Sequence, residues 1–239
     1  MIYCIIGPTG VGKTKLSVML AKKLNAEIIN CDSMQVYKEL NIGVAKATKE
    51  EQEGIKHHLL SIKSVNEDYS VFEYQKDARK LIDKFIEEKK DVIVVGGTGL
   101  YLKALLYDYT FDEKNNKNKK LYDFKLIGLT RDRKILYENI DKRVDIMVKN
   151  GLLEEVKYLY DKNIRTRAIN TAIGYKELYE YFDNNISLED ALDKIKQSSR
   201  RYAKRQYTFF NNQFDNIKYY DIDKISFDDI VLDIMKEKN

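Results

Sequence analysis

Cysteine and histidine each occur only twice in the 239 residues, and proline occurs once. The cysteines, Cys4 and Cys31, sit at or near the ends of apolar runs, and His57 and His58 are adjacent. No zinc-ligand spacing can be drawn from such a set. Buried thiols and packed or solvated histidines are expected instead of a metal cluster. Long hydrophobic runs are also missing. Ile2–Ile6 and Val92–Val95 are far too short to cross a bilayer, and no basic segment precedes a long apolar core at the N-terminus. A cytoplasmic location with no membrane partner is expected. Nor is there a large excess of charge: a net +4 is too mild to demand a nucleic-acid partner. With 44% hydrophobic and 33% charged residues, the composition suits one folded domain over 1–239, expected to be a monomer.

Apolar runs and polar breaks alternate along the first half. Ile2–Ile6 reads as a strand, Lys13–Leu24 as a helix with Leu16, Met19, Leu20 and Leu24 at helical spacing, and Ala26–Asn30 as a second strand. Ser70 and Glu73 form a capping box for a helix reaching about Lys90. Its apolar stripe is expected to hold Phe72, Ala78, Ile82, Phe85 and Ile86. Val92–Val95 is a third strand, closed by Gly96-Gly97-Thr98-Gly99 and followed by helical Leu100–Leu106. Asp112–Lys120 is polar, low in complexity, and reads as a flexible loop tip. Lys125–Leu129 is a fourth strand, after which the pattern is almost wholly helical to Gln213. Ser187 with Asp190, and Ser226 with Asp229, start two later helices, and Ile217–Ile222 reads as a last strand. This order predicts an α/β fold, a parallel sheet flanked by helices with a mostly helical C-terminal part. Ligands of such sheets gather at the carboxyl ends of the strands, where the opening loop, Asp32–Gln35 and Gly96–Gly99 all fall.

The opening loop is the sharpest signal. Gly7-Pro8-Thr9-Gly10-Val11-Gly12-Lys13-Thr14 fits the phosphate-loop pattern in full, between a strand and a helix, as in P-loop NTPase-like proteins. Its glycines let backbone N–H groups turn toward phosphate oxygens, and the helix N-terminus adds partial positive charge. Lys13 reaches the terminal phosphates, and the Thr14 hydroxyl can take a place on Mg²⁺. The loop names the phosphates, not the reaction. The strand that would carry a hydrolase's acidic residue, DVIVVGGTG, ends in glycines, whereas Asp32 follows Ala26–Asn30 beside Ser33, Met34 and Gln35. That aspartate suits a metal ligand and a base-reading pocket equally, so a small-molecule kinase and a pyrophosphate-expelling transferase both stay open.

A second concentration of chemistry lies in 187–213. Lys194, Lys196, Arg200, Arg201, Lys204 and Arg205 face only Asp193 in the segment DKIKQSSRRYAKRQYTFF, with Tyr202, Tyr207, Phe209 and Phe210 interleaved. Arg200–Lys204 and Arg201–Arg205 are i,i+4 like-charge pairs that repel unless an anion lies between them. A solvated face is one reading and RNA backbone contact the other; the phosphate loop and 18 tyrosines favour RNA. Arg165 and Arg167 suit backbone contact or solvation equally.

Taken in order, these motifs resemble the tRNA dimethylallyltransferase family. GPTGVGKT is similar to its phosphate loop, with Gly10-Val11 where the family more often has Ala-Ser. Asp32-Ser33-Met34-Gln35-Val36-Tyr37, Asn41–Lys46 and Gly96–Tyr101 match its next signatures. Arg143-Val144-Asp145, Met147, Gly151-Leu152, Glu155-Val156, Ala172–Glu177 and Arg201–Gln206 follow its helical pattern, so the matches run from residue 2 to about 210. Two departures stand out. The connection Asp108–Asp123 is a shortened remnant of the family's helical insertion, which grips the anticodon stem. Asn139 also replaces one arginine of the pattern that ends in Arg143.

The resemblance implies prenyl transfer from dimethylallyl diphosphate to the exocyclic amine of the adenosine beside the anticodon. Gly7–Thr14 would hold the diphosphate, while Lys13, Arg143 and Mg²⁺ at Thr14 meet the charge on the leaving oxygen. Asp32 would accept the amine's proton, with Thr98 orienting the exchange. Ser33, Met34 and Gln35 would read the base, and Arg200, Arg201, Lys204 and Arg205 would contact the tRNA anticodon stem-loop. For Met34, packing is the favoured reading. Prenylation of free AMP, ADP or ATP, a P-loop kinase, and an inactive RNA-binding relative remain the alternatives.

Overall fold

The computed structural model describes residues 1–110 and 119–238; the stretch 112–118 of the expected loop tip lies outside them. In chain order the elements are β1 (Ile2–Ile6), α1 (Lys13–Leu24), β2 (Glu27–Asn30), α2 (Lys49–Gln52), β3 (His57–His58), α3 (Val71–Glu87), β4 (Val92–Val95) and α4 (Gly99–Leu106). They continue as β5 (Phe124–Thr130), α5 (Arg133–Lys149), α6 (Leu152–Asp161), α7 (Arg167–Thr171), α8 (Tyr175–Phe182), α9 (Leu188–Gln213), β6 (Lys218–Asp221) and α10 (Phe227–Lys236). The described strands form one six-stranded sheet in the order β3-β2-β4-β1-β5-β6, and every pairing is parallel.

A parallel sheet needs cover on both faces, and alternation along β1 supplies it. Ile2, Cys4 and Ile6 join a core with Ala78, Ile82 and Phe85 of α3, while Tyr3 and Ile5 join a second core with Leu16 and Leu20 of α1 and Ile230 and Ile234 of α10. Each isoleucine, leucine or phenylalanine among them, fully buried, contributes about 1.5–3 kcal/mol relative to exposure. Both cysteines are buried free thiols, as their place in apolar runs predicts. The α3 stripe differs from expectation at its ends. Phe72 and Ile86 are 57% and 51% exposed, because the buried row runs through Tyr74, Ala78, Ile82 and Phe85 and those two lie off it. The Ser70–Glu73 capping box is formed, and the Ser187 and Ser226 side chains accept from the Asp190 and Asp229 amides.

Strand order decides where the chemistry sits. β4 lies between β2 and β1, so the loops leaving these three neighbours emerge side by side at one end of the sheet. Asp32, Gly96–Gly99 and Gly7–Thr14 are those loops. Among the described residues no helix is long and apolar enough to cross a membrane.

Candidate active site

The phosphate loop closes on Gly12, which sits at φ +91°, a conformation that side-chain-bearing residues rarely adopt; a Cβ there would also come 2.7 Å from the Phe227 ring. Helix α1 starts at the next residue. Lys13 Nζ donates to the carbonyls of Gly7 (2.9 Å) and Pro8 (2.8 Å), so the loop holds its own ammonium group. Burial lowers the Lys13 pKa to about 8, with Asp32 opposing that shift and Arg143 adding to it. From α5, Arg143 reaches the loop, its Nη1 donating to Thr9 Oγ1 at 3.3 Å. Burial also depresses the guanidinium, against the pull of Glu51 and Asp32, yet an arginine stays charged.

The second loop is built on Asn30, whose buried amide donates to the carbonyls of Asp32 (3.1 Å) and Leu59 (3.0 Å). Asp32 Oδ1 accepts from the amides of Met34 (2.9 Å) and Gln35 (3.4 Å), a local turn that fixes the carboxylate's direction. Thr98 Oγ1 accepts from Ser33 N–H at 3.0 Å and donates to Ser33 Oγ at 3.3 Å. Gln35 Nε2 is engaged by the Val44 and Ala45 carbonyls (3.1 and 3.3 Å), which leaves Oε1 as the end of that amide able to face a ligand. Met34 packs against the larger core. Loop 41–45 is held in turn by Glu155 of α6, which accepts from the amides of Asn41 (3.1 Å), Ile42 (3.0 Å) and Gly43 (3.2 Å). Residues 96–99 and 41–45 are thus tied to the turn that carries Asp32, through Ser33 and Gln35.

Both loops open into a single cavity of about 630 Å³. Thr9, Gly10, Gly12, Lys13, Thr14, Asp32, Ser33, Met34, Gln35, Asn139 and Arg143 all line it, with an apolar stretch from Val144, Met147, Leu152, Ile173 and Ile195. Gly7, Pro8, Val11 and Thr98 are set behind this wall; Thr98 acts on it through Ser33.

Helix α9 is divided. Lys194, Lys196 and Arg200 are ion-paired with Glu180, Asp145 and Asp141. Arg201, Lys204 and Arg205 are exposed and line an open groove of about 520 Å³ with Phe209, and Arg205 lines the inner cavity too. The geometry therefore brings Arg201, Lys204 and Arg205 to a surface that could meet a polyanion, and leaves Arg200 committed to α5. Arg165 is paired with Asp183 (2.9 Å).

Three cavity residues were not singled out as site residues by sequence. Tyr202 is held protonated by burial and then by the Asp32 charge, and it is close enough to bond Thr98. Gln206 lies under both glycine-rich loops. His57 joins the lining through β3: its Nδ1 lies 2.9 Å from the Ile55 carbonyl, and its buried Nε2 has no hydrogen-bond partner among the described residues. Burial, foremost, lowers the His57 pKa and favours neutral imidazole. His58 turns the other way, to Glu27 (2.5 Å) and the edge of Phe85.

The model of the family described as IPP transferase matches residues 35–121 and 109–213. The chain belongs to the IPP transferase family. A tRNA dimethylallyltransferase of Anoxybacillus flavithermus is 42% identical over 281 residues, covering 92% of this chain and 90% of its own. Its 281 aligned positions outnumber the 239 residues here, so that relative carries residues with no counterpart in this chain. A solved tRNA delta(2)-isopentenylpyrophosphate transferase from Staphylococcus epidermidis superposes with a TM-score of 0.92 at 34% identity, over 100% of this chain and 98% of that one. A eukaryotic dimethylallyltransferase solved while acting on tRNA gives 0.87 at 25% identity, over 99% and 79%. For this IPP transferase family member the GGTG loop is sterically fixed: a Cβ at Gly97 would lie 2.0 Å from Gln206 Nε2. We expect Gly97→Ala to lose about 1–3 kcal/mol of stability by forcing that buried amide aside. Urea titration measures it, and an unchanged midpoint would show that Gln206 has room to yield.

Proposed function

We propose that the chain transfers the dimethylallyl group of dimethylallyl diphosphate to the exocyclic amine of the adenosine beside the anticodon of tRNA, as a monomer in the cytoplasm. The observation that carries this reading is one cavity that joins a cationic phosphate loop, with Lys13 and Arg143, to the carboxylate of Asp32. A kinase needs only the first half. A binder needs neither half so arranged.

The chemistry follows from what the amine lacks. Its lone pair is delocalised into the purine, so the allylic carbon must become a strong electrophile. The allylic C–O bond breaks with its electron pair passing to the diphosphate oxygen, where Lys13 and Arg143 meet the growing charge. The amine nitrogen bonds to that carbon, and its proton goes to Asp32. Thr14 on the cavity wall would offer its hydroxyl to a magnesium ion that arrives with the diphosphate. When bound, such an ion adds further charge neutralisation at the leaving group. Tyr202 and Thr98 add uncharged polar groups beside the carboxylate, which also feels the Lys13 and Arg143 charges. The Gln35 Oε1 suits the adenine amine as acceptor, and Arg201, Lys204 and Arg205 suit RNA phosphates.

The test is incubation with dimethylallyl diphosphate and unmodified tRNA whose anticodon arm ends in adjacent adenosines. A mass gain of one prenyl group on the tRNA, exceeding the rate on AMP, is expected. No gain on tRNA sinks the reading, transfer to AMP alone moves the acceptor to free nucleotides, and phosphoryl transfer from ATP makes the chain a kinase.

A further inference from the structure

The amide N–H of Thr9, within the phosphate loop, is satisfied from 197 positions away: it donates to Gln206 Oε1 at 2.8 Å. The other end of the same side chain, Nε2, donates to the Gly97 carbonyl at 3.0 Å. Gln206 is 5% exposed and stands on α9, the helix whose outer face carries the exposed Arg201, Lys204 and Arg205. One planar amide therefore spans the two loops that the chemistry must keep apart by a fixed distance.

Its contacts extend in both directions. On the diphosphate side, Thr9 is gripped again through its hydroxyl by Arg143 (3.3 Å). On the acceptor side, Gly97 is followed by Thr98, which holds the Ser33 amide (3.0 Å) next to Asp32. An amide is the group for this task, since one end accepts and the other donates within a rigid plane. The absence of a Cβ at Gly97 is what lets it fit.

We propose that Gln206 is a positioning residue that sets the distance between the departing diphosphate and the carboxylate of Asp32. The inference rests on the prenyl-transfer reading and names how that site is held in register. It acts through Thr9 and Gly97, which engage both ends of its amide. Displacements of about 1 Å in such a register cost about 100-fold in rate.

Two variants test it. Gln206→Met keeps the length and loses both bonds; Gln206→Glu keeps an acceptor for Thr9 but sets a carboxylate oxygen against the Gly97 carbonyl. In Gln206→Met, kcat is expected to fall about 100-fold with KM for dimethylallyl diphosphate within about threefold, the split expected of lost alignment. Amide hydrogen exchange supplies a readout independent of turnover. At Ser33 it should quicken by about tenfold or more in both variants, and at Thr9 only in Gln206→Met, while the strands keep their protection. A merely structural glutamine would lower the melting temperature and leave Ser33 exchange and kcat of the folded protein as they were. Either of those two unchanged values in a folded variant overturns the proposal. If Gln206→Met does not fold, Gln206→Glu carries the Ser33 test alone. Ser33 exchange that responds, in a wild-type protein that prenylates no tRNA, supports the positioning role and sinks the prenyl-transfer reading instead.

Discussion

Asp32→Asn is expected to lower kcat by about 1000-fold, within the range for loss of a general base, while KM for dimethylallyl diphosphate stays within about threefold. The substitution is close to the smallest available. Asn keeps an oxygen to accept from the Met34 and Gln35 amides, so the turn that directs the side chain survives. What disappears is the ability to take up the proton leaving the amine. Single-turnover transfer from labelled dimethylallyl diphosphate to tRNA measures the chemical step, and filter binding measures the complex. A loss smaller than about tenfold with RNA binding intact would mean that another group accepts the proton. Tyr202, which is near enough to sense the Asp32 charge, does not qualify, because burial holds its hydroxyl protonated.

Lys13→Ala should strike the other half of the site, with kcat/KM for dimethylallyl diphosphate down by about 100- to 1000-fold. In the folded protein this ammonium bridges the Gly7 and Pro8 carbonyls, so its loss removes both a charge at the leaving group and a brace of the loop. Lys13→Gln, which can still donate to those carbonyls, separates the two effects. If charge dominates, Lys13→Gln resembles Lys13→Ala; if the brace dominates, it resembles wild type. The pH dependence gives an internal check. Burial places the Lys13 pKa at about 8, below the ordinary lysine value. Below that pH the group is charged and attracts diphosphate; above it the charge is lost. The kcat/KM of the wild type should therefore fall as pH rises through about 8, and the limb should vanish in Lys13→Ala. The same shift acts on stability with a defined sign. Between about 8 and the unfolded lysine value the unfolded chain binds more protons, so stability contributed by this group rises with pH there.

The parts of this site that could be read from sequence are those whose structure is local. Gly7–Thr14 specifies its own turn, Ser70 and Glu73 cap their own helix, and Asp32 orients itself on amides two and three residues on. What escaped reading is set by distant partners. Nothing near Gln206 shows that its amide will meet Thr9 and Gly97. Nothing in DKIKQSSRRYAKRQ shows that Asp145 and Asp141 of α5 will neutralise Lys196 and Arg200 while Arg201, Lys204 and Arg205 stay exposed. The two-residue strand His57–His58 is invisible for a related reason. It has no apolar pattern of its own and exists because Ile28 and Ile29 offer it a sheet edge.

The cavity's continuity has a pharmacological consequence. Because the phosphate loop and the Asp32 carboxylate line one cavity, the proposed reaction implies that a single compound carrying a stable diphosphate mimic joined to an adenine-like ring could engage both ends at once. The second contact would then form at the high local concentration set by the tether, so two individually weak fragments would combine into a tight inhibitor.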